Sequence, residues 1–250
     1  RVMNLLALVL IQHLGTLTNA AERIGVVLLA GGAGSRMKAD RPKQFLQLAN
    51  KPVIAHSIQI LRRVQNLHSL VIVLADEARQ YDYVKQAIEH DPLVSFADPG
   101  KERQDSVANG LAQIGAECTL IAVHDSARPL VTLDAIHACI ADASEHGAAV
   151  LAVPMKATVK EATADGAFVK KTLDRSKLWE IQTPQVMRPR LLREGFTKVR
   201  TDKLEVTDDV SIVEALGHPV KLTMGEYTNL KLTTPEDMVI AEQILAERAG

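Results

Sequence analysis

A chain of 250 residues that is 47% hydrophobic can bury one substantial core, and its apolar content is even enough along its length to predict one domain rather than several. A formal net charge of -1 leaves no basic footprint of the kind that holds nucleic acid or an anionic membrane, so neither is predicted as a partner and any cations that matter must act locally. Two cysteines, Cys118 and Cys139, lack metal-ligand spacing and are too few for a disulfide framework, which predicts buried thiols in a reducing compartment.

Residues 1–23 stand apart. Arg1 precedes an apolar run from Leu5 to Ile11, and Thr18-Asn19-Ala20 resembles a small-residue processing site. The run is too short to cross a bilayer. We read residues 1–23 as an extension, a targeting remnant or an appended helix, outside a single domain over residues 24–250.

Residues 24–30 form a continuous apolar, β-branched-rich run, the pattern of a strand buried on both faces of a parallel sheet. Gly31, Gly32 and Gly34 follow, and glycines there let the chain turn tightly and bring bare N–H groups to an anion. Arg36 and Lys43 come next. A P-loop would need G-x-x-x-x-G-K-[ST] and a dinucleotide fingerprint G-x-G-x-x-G, whereas Gly32-Ala33-Gly34 runs into Ser35-Arg36-Met37, so both are absent. A buried strand, a glycine loop and fixed cations suit a polyphosphate, because backbone donors hold the phosphates while side chains neutralise them.

Further along, residues 52–64 carry Val53, Ile54, Ile58 and Leu61 at helical spacing. Strands are predicted over 70–75, 93–97, 120–123 and 148–153, and helices over 77–90, 106–114 and 133–144. That alternation implies βαβ units, hence a mostly parallel sheet with helices on both faces and a site at the carboxyl ends of its strands. The rule selects the loops G-G-A-G-S-R-M, P-G-K-E-R-Q-D-S-V and H-D-S-A-R-P. Short alternating segments over 158–161 and 168–172 flank Asp165-Gly166, a hairpin turn signal, and predict a projecting two-stranded arm over about residues 154–177. Such a ribbon is marginal alone and is expected to pack on another chain. Helices over 189–200, 209–216 and 235–249 and strands over 220–223 and 229–233 complete the reading.

Nucleotidyl transfer spreads charge over the oxygens of the α-phosphate, so catalysis is mostly positioning and charge stabilisation. Arg36 and Lys43 are the catalytic candidates. Asp125, at the end of a buried strand, is the candidate to hold Mg²⁺ against a triphosphate, since that ion takes one or two carboxylates plus phosphate oxygens. His124 reads as a satisfied structural histidine, because a phosphate monoester nucleophile is already ionised and needs no base. Arg128, three residues beyond Asp125, suits an anionic second substrate.

The loop L-A-G-G-A-G-S-R-M with R-P-K-Q resembles the signature of nucleotidyltransferases that activate sugar or polyol phosphates. Together with P-G-K-E-R-Q-D-S-V, V-H-D-S-A-R-P, T-L-D-R-S-K-L-W-E-I-Q-T-P-Q, E-V-T-D-D-V-S-I-V-E and N-L-K-L-T-T-P-E-D, it resembles the 2-C-methyl-D-erythritol 4-phosphate cytidylyltransferase family across about residues 24–246. The resemblance implies a Rossmann-like nucleotidyltransferase α/β fold that joins CTP to a polyol phosphate with Mg²⁺ in isoprenoid precursor synthesis. It implies nucleotide contacts at Ala30, Gly31, Gly32, Gly34, Gly100, Lys101 and Ser106, with the last three reading cytosine. Arg128, Thr158, Arg175, Thr183, Thr207 and Lys231 would surround methylerythritol phosphate, Thr158 and Arg175 reaching over from the arm of a homodimer partner. Two alternatives are a cytidylyltransferase for another polyol phosphate, such as ribitol 5-phosphate, and a catalytically silent binding domain. A bacterial cytoplasm and a plastid stroma both suit the sequence.

Overall fold

The computed structural model describes residues 21–32, 37, 41–88 and 91–249, so the extension reading of residues 1–20 lies outside the described residues. In chain order the main elements are β1 (Ile24–Leu29), α1 (Val53–Leu61), β2 (Leu67–Val73), α2 (Asp76–Arg79), α3 (Asp82–Ile88), β3 (Val94–Ala97), α4 (Arg103–Gln113), β4 (Leu120–Asp125), α5 (Leu133–His146) and β5 (Ala148–Pro154). There follow β6 (Lys160–Ala162), β7 (Val169–Thr172), β8 (Trp179–Met187), α6 (Pro189–Asp202), α7 (Asp209–Glu214), β9 (Lys221–Met224) and α8 (Pro235–Ala249).

Seven strands make one sheet in the order β9-β5-β8-β4-β1-β2-β3. All neighbours are parallel except β8, which runs antiparallel between β4 and β5. The α/β sheet with helices on both faces is the expected class. Alternate residues of β1 serve opposite layers, as the two-residue period of a strand requires. Val26 and Leu28 join Ile54, Ile58 and Leu61 of α1 and Ile136 and Cys139 of α5. Val27 joins Val107 and Leu111 of α4 with Leu192, Phe196 and Ile212 of α6 and α7. Helix α4 lies close enough that a Cβ on Gly110 would stand 2.5 Å from Val27 Cγ1. Both cysteines are free and buried, as expected.

The chain moves from β1 outward to β2 and β3, then returns to pair β4 on the other side of β1. That reversal opens a crevice beyond the carboxyl ends of β1 and β4, which is where open α/β sheets bind ligands. The arm is present: β6 and β7 pair antiparallel around Gly166, whose φ of 72° suits a residue without a side chain. Phe168 is 72% and Val169 63% exposed on it.

Three expectations are corrected. The helix expected over 77–90 is two helices, α2 and α3, with His90 outside the described residues. Arg79 turns back to donate to the Leu74 carbonyl at 2.8 Å, and Tyr81, in the break, stacks on Tyr83 and meets the Phe45 ring edge-on. Residues 229–233 are extended but belong to no ladder: the Asn229 side chain and the Leu232 N–H tie them to β8 and to Ala127. Strand β8 was not predicted as a strand, because its buried Gln182, Thr183 and Gln185 erase the apolar pattern that signals one.

Candidate active site

The β1 strand ends at Ala30, whose N–H continues the ladder to the Val73 carbonyl at 3.0 Å. Gly31 must lack a side chain, since a Cβ there would fall 2.7 Å from Pro99 Cβ. Gln44 is buried and donates to the Ala30 carbonyl at 2.6 Å, so the Pro42-Lys43-Gln44 turn is fastened to the end of the strand. Lys43 is thereby delivered to the crevice, where its ammonium donates to the Leu232 carbonyl at 2.8 Å. The loop after β3 reaches the same crevice. Gly100 packs so tightly on the first turn of α4 that a Cβ would stand 2.2 Å from Asp105 Cβ, and its N–H donates to Ser106 Oγ at 2.9 Å.

These loops enclose a cleft of about 460 Å³ whose walls include Gly31, Gly32, Lys43, Gly100, Lys101, Arg103, Ser106, Asp125 and Lys231. Asp125 and Lys231 meet in its wall with Arg103, which also reaches Asp209 behind it. Lys231 Nζ donates to Asp125 Oδ2 at 2.6 Å, and Arg103 donates to Asp125 Oδ1 at 3.1 Å. The same guanidinium forks onto Asp209, at 2.7 and 2.8 Å. Burial works to raise the Asp125 pKa, but Arg103 and Lys231 override it and hold the carboxyl well below the usual carboxylate range. Burial pushes Asp209, 1% exposed, upward against the opposing pull of Arg103.

Behind the cleft lies a chain of hydrogen bonds. The Asp125 N–H donates to Thr183 Oγ1 at 3.1 Å, so the Thr183 hydroxyl hydrogen goes to His124 Nδ1 at 2.9 Å, and His124 Nε2 donates to the Arg128 carbonyl at 3.2 Å. Burial lowers the His124 pKa to about 4, so the ring is neutral and can accept at Nδ1. Arg128 is only 7% exposed, and its guanidinium donates to the carbonyls of Asn229 at 2.7 Å and Ile181 at 3.1 Å. In this structure it braces backbone rather than facing the cleft.

Of the residues singled out in the sequence, Gly31, Gly32, Lys43, Gly100, Lys101, Ser106, Asp125 and Lys231 share the cleft wall. Ala30 sits just inside it, buried, and Thr183 is buried beneath Asp125. Thr207 lines a separate pocket of about 70 Å³ that shares Glu102 and Arg103 with the cleft. Thr158 and Arg175 are exposed at the arm, Arg175 donating to the Lys156 carbonyl at 2.7 Å. Gly34 and Arg36 lie outside the described residues. Sequence reasoning passed over Arg103, Asp209 and Gln44. Each lies within a quoted motif and the two charges open helices, but no local pattern joins one to the other.

Asp125 brings to the cleft a carboxylate, a group with the chemistry for a divalent cation. A carboxylate offers about four lone-pair positions, and the two bonds it accepts leave room for a hard cation sharing oxygens with a triphosphate. No group of three or more His, Cys, Asp or Glu side chains among the described residues could hold a metal.

Comparison with known proteins shows relatives in sequence and in fold. The family described as IspD, 2-C-methyl-D-erythritol 4-phosphate cytidylyltransferase, matches residues 24–247. The chloroplastic protein of that name from Oryza sativa subsp. japonica is 51% identical over 90% of this chain and 75% of its own length. The protein of that name from Pelotomaculum thermopropionicum is 40% identical over 92% of this chain and 97% of its own. Among solved structures, the 2-C-methyl-D-erythritol 4-phosphate cytidylyltransferase of Thermus thermophilus superposes with a TM-score of 0.74 at 29% identity, covering 90% of this chain and 99% of that one.

The hydrogen-bond chain behind the cleft makes a direct prediction. Thr183→Val leaves the buried Asp125 N–H and His124 Nδ1 unpartnered, and should cost about 2 kcal/mol of unfolding free energy in urea titrations. An unchanged midpoint would show that the hydroxyl does not hold these two groups.

Proposed function

The chain belongs to the 2-C-methyl-D-erythritol 4-phosphate cytidylyltransferase family, and from that membership we propose that its cleft transfers CMP from CTP to 2-C-methyl-D-erythritol 4-phosphate. The products are 4-(cytidine 5'-diphospho)-2-C-methyl-D-erythritol and pyrophosphate, in isoprenoid precursor synthesis. The observation that carries the reading is the meeting of the glycine loop, Lys43, the Gly100–Ser106 loop, Asp125 and Lys231 in one cleft at the topological switch point. The setting is a bacterial cytoplasm or a plastid stroma, the two compartments that suit relatives of this family. Among the described residues no helix is long and apolar enough to cross a membrane.

The chemistry follows from these groups. An oxygen of the acceptor phosphate forms a bond to the α-phosphorus of CTP while the bond from that phosphorus to the bridging oxygen breaks, and pyrophosphate leaves with the electron pair. Gly31 and Gly32 offer backbone N–H groups to the phosphates, and Gly100, Lys101 and Ser106 hold the cytosine edge. Lys43, with Arg36 from the same loop, neutralises charge growing on the α-phosphate oxygens. Lys231 orients the anionic acceptor beside Asp125. Mg²⁺, when bound at Asp125, supplies positive charge to the triphosphate. Thr207 lies on the acceptor side, next to Arg103, and Arg128 and Thr183 support that side from beneath.

The assay that tests the reading offers CTP and Mg²⁺ with methylerythritol 4-phosphate or ribitol 5-phosphate and follows pyrophosphate release. Methylerythritol phosphate should be the faster acceptor, and equal or greater turnover with ribitol phosphate would overturn the assignment. ATP and GTP should fail as donors, because a site that hydrogen-bonds one base edge rejects bases lacking it by large factors.

The working unit is a homodimer, completed in trans by the arm. The support is physical: a two-stranded ribbon is marginal in water, yet it displays Phe168 and Val169 to solvent and carries Thr158 and Arg175 away from its own cleft. Lys43→Ala should lower turnover by about 100-fold, and Arg175→Ala should weaken use of the polyol phosphate more than of CTP. Mixing the two variants should restore activity, since one site of each heterodimer regains both side chains. Mixtures no better than either parent, despite verified subunit exchange, would contradict completion in trans.

A further inference from the structure

Arg103 occupies the first position of α4, and its stem starts from a fixed backbone. Glu102 and Asp105 form a reciprocal capping box around that turn, and Gly100 packs directly against it. The Gly100 loop and the first turn of α4 that carries Arg103 are therefore in direct contact. At the far end of the guanidinium, Asp209 opens α7, whose start is equally well held. The N–H groups of Asp209 and Val210 donate to Gln185 Oε1 on β8 at 2.8 and 2.9 Å, and Asp208 and Ser211 form a second capping box. Thr207 precedes that turn.

The guanidinium spans three elements at once. Its fork takes both oxygens of Asp209, and one nitrogen also donates to Asp125 at the end of β4. Arg103 forms part of the wall of the 460 Å³ cleft and of the 70 Å³ pocket containing Thr207. With Glu102 it thus stands between the nucleotide side and the side of Thr207. A planar five-donor group can serve two carboxylates in this way, while an ammonium is a point charge that cannot hold both in the same geometry.

We propose that Arg103 is a positioning residue for the transfer, locking the nucleotide loop, the Asp125 carboxylate and the α7 turn beside Thr207 into one register. This rests on the cytidylyl-transfer reading above. Arg103 acts through Asp125: together with Lys231 it fixes which way the carboxylate faces, and it ties that orientation to the loop that holds the base.

The test measures pyrophosphate release by the full-length protein, with wild type in the same assay, for Arg103→Lys and for the double variant Arg103→Gln with Asp209→Asn. Arg103→Lys keeps the charge, and kcat should fall by about tenfold or more while KM for CTP changes by less than about threefold. The double variant removes a buried charge together with its partner, so its Tm should stay within about 3 °C of wild type. Its kcat should nevertheless remain about tenfold or more below wild type, because Asp125 still lacks the guanidinium. Wild-type kcat in Arg103→Lys, or recovery of kcat along with Tm in the double variant, would reduce Arg103 to a counter-ion for Asp209 and overturn the proposal. A loss confined to KM for CTP would also overturn it, by making Arg103 a direct nucleotide ligand. Wild type that releases no pyrophosphate would sink the cytidylyl-transfer reading, and this proposal with it.

Discussion

The Asp125 carboxylate, held between Lys231 at 2.6 Å and Arg103 at 3.1 Å, is the contact on which the rest of the site depends. Taking a carboxylate out of water costs several kcal/mol. Two opposite charges at hydrogen-bond distance offset that cost and keep the group ionised. The cations come from distant parts of the chain, one at the start of α4 and one in the extended segment before α8. The carboxylate can collect them only because the sheet order places β4 beside β1 at the point where the chain reverses direction.

That arrangement divides the work between rigid and less rigid parts. The strand end at Ala30, the loop proposed to hold the base and Asp209 are fastened by Gln44 and by two capped helix starts. The arm is a two-stranded ribbon with its apolar residues in solvent. A group carried there gains precision only when the ribbon packs against something else, which is why acceptor recognition, rather than nucleotide recognition, is the step expected to depend on a second subunit.

Much of this was legible in the sequence, and the reasons are local. Residues 24–32 announced a doubly buried strand and the glycine turn that follows it, since an apolar run with Ile24, Val26 and Val27 ending in two glycines has few other uses. The Asp165-Gly166 turn announced the arm. Strand β8 was hidden, because Gln182, Thr183 and Gln185 are buried through hydrogen bonds to residues far away in sequence, and no periodicity records that. The same limit applies to Arg103 and Asp209. They are 106 positions apart, and pattern reading along one sequence cannot join an isolated cation to an isolated carboxylate at that range. Arg128 shows the converse: its place after Asp125 suggested an anion ligand, and no sequence pattern announced that two of its nitrogens donate to the Asn229 and Ile181 carbonyls.

Asp125→Asn tests the account most directly, because it keeps the size of the side chain while removing the charge and one of the two acceptor oxygens that gather Lys231 and Arg103. Turnover with CTP and methylerythritol 4-phosphate should fall by about 100-fold or more, while circular dichroism shows the fold retained. A folded Asp125→Asn protein turning over at close to the wild-type rate would contradict the account at its centre.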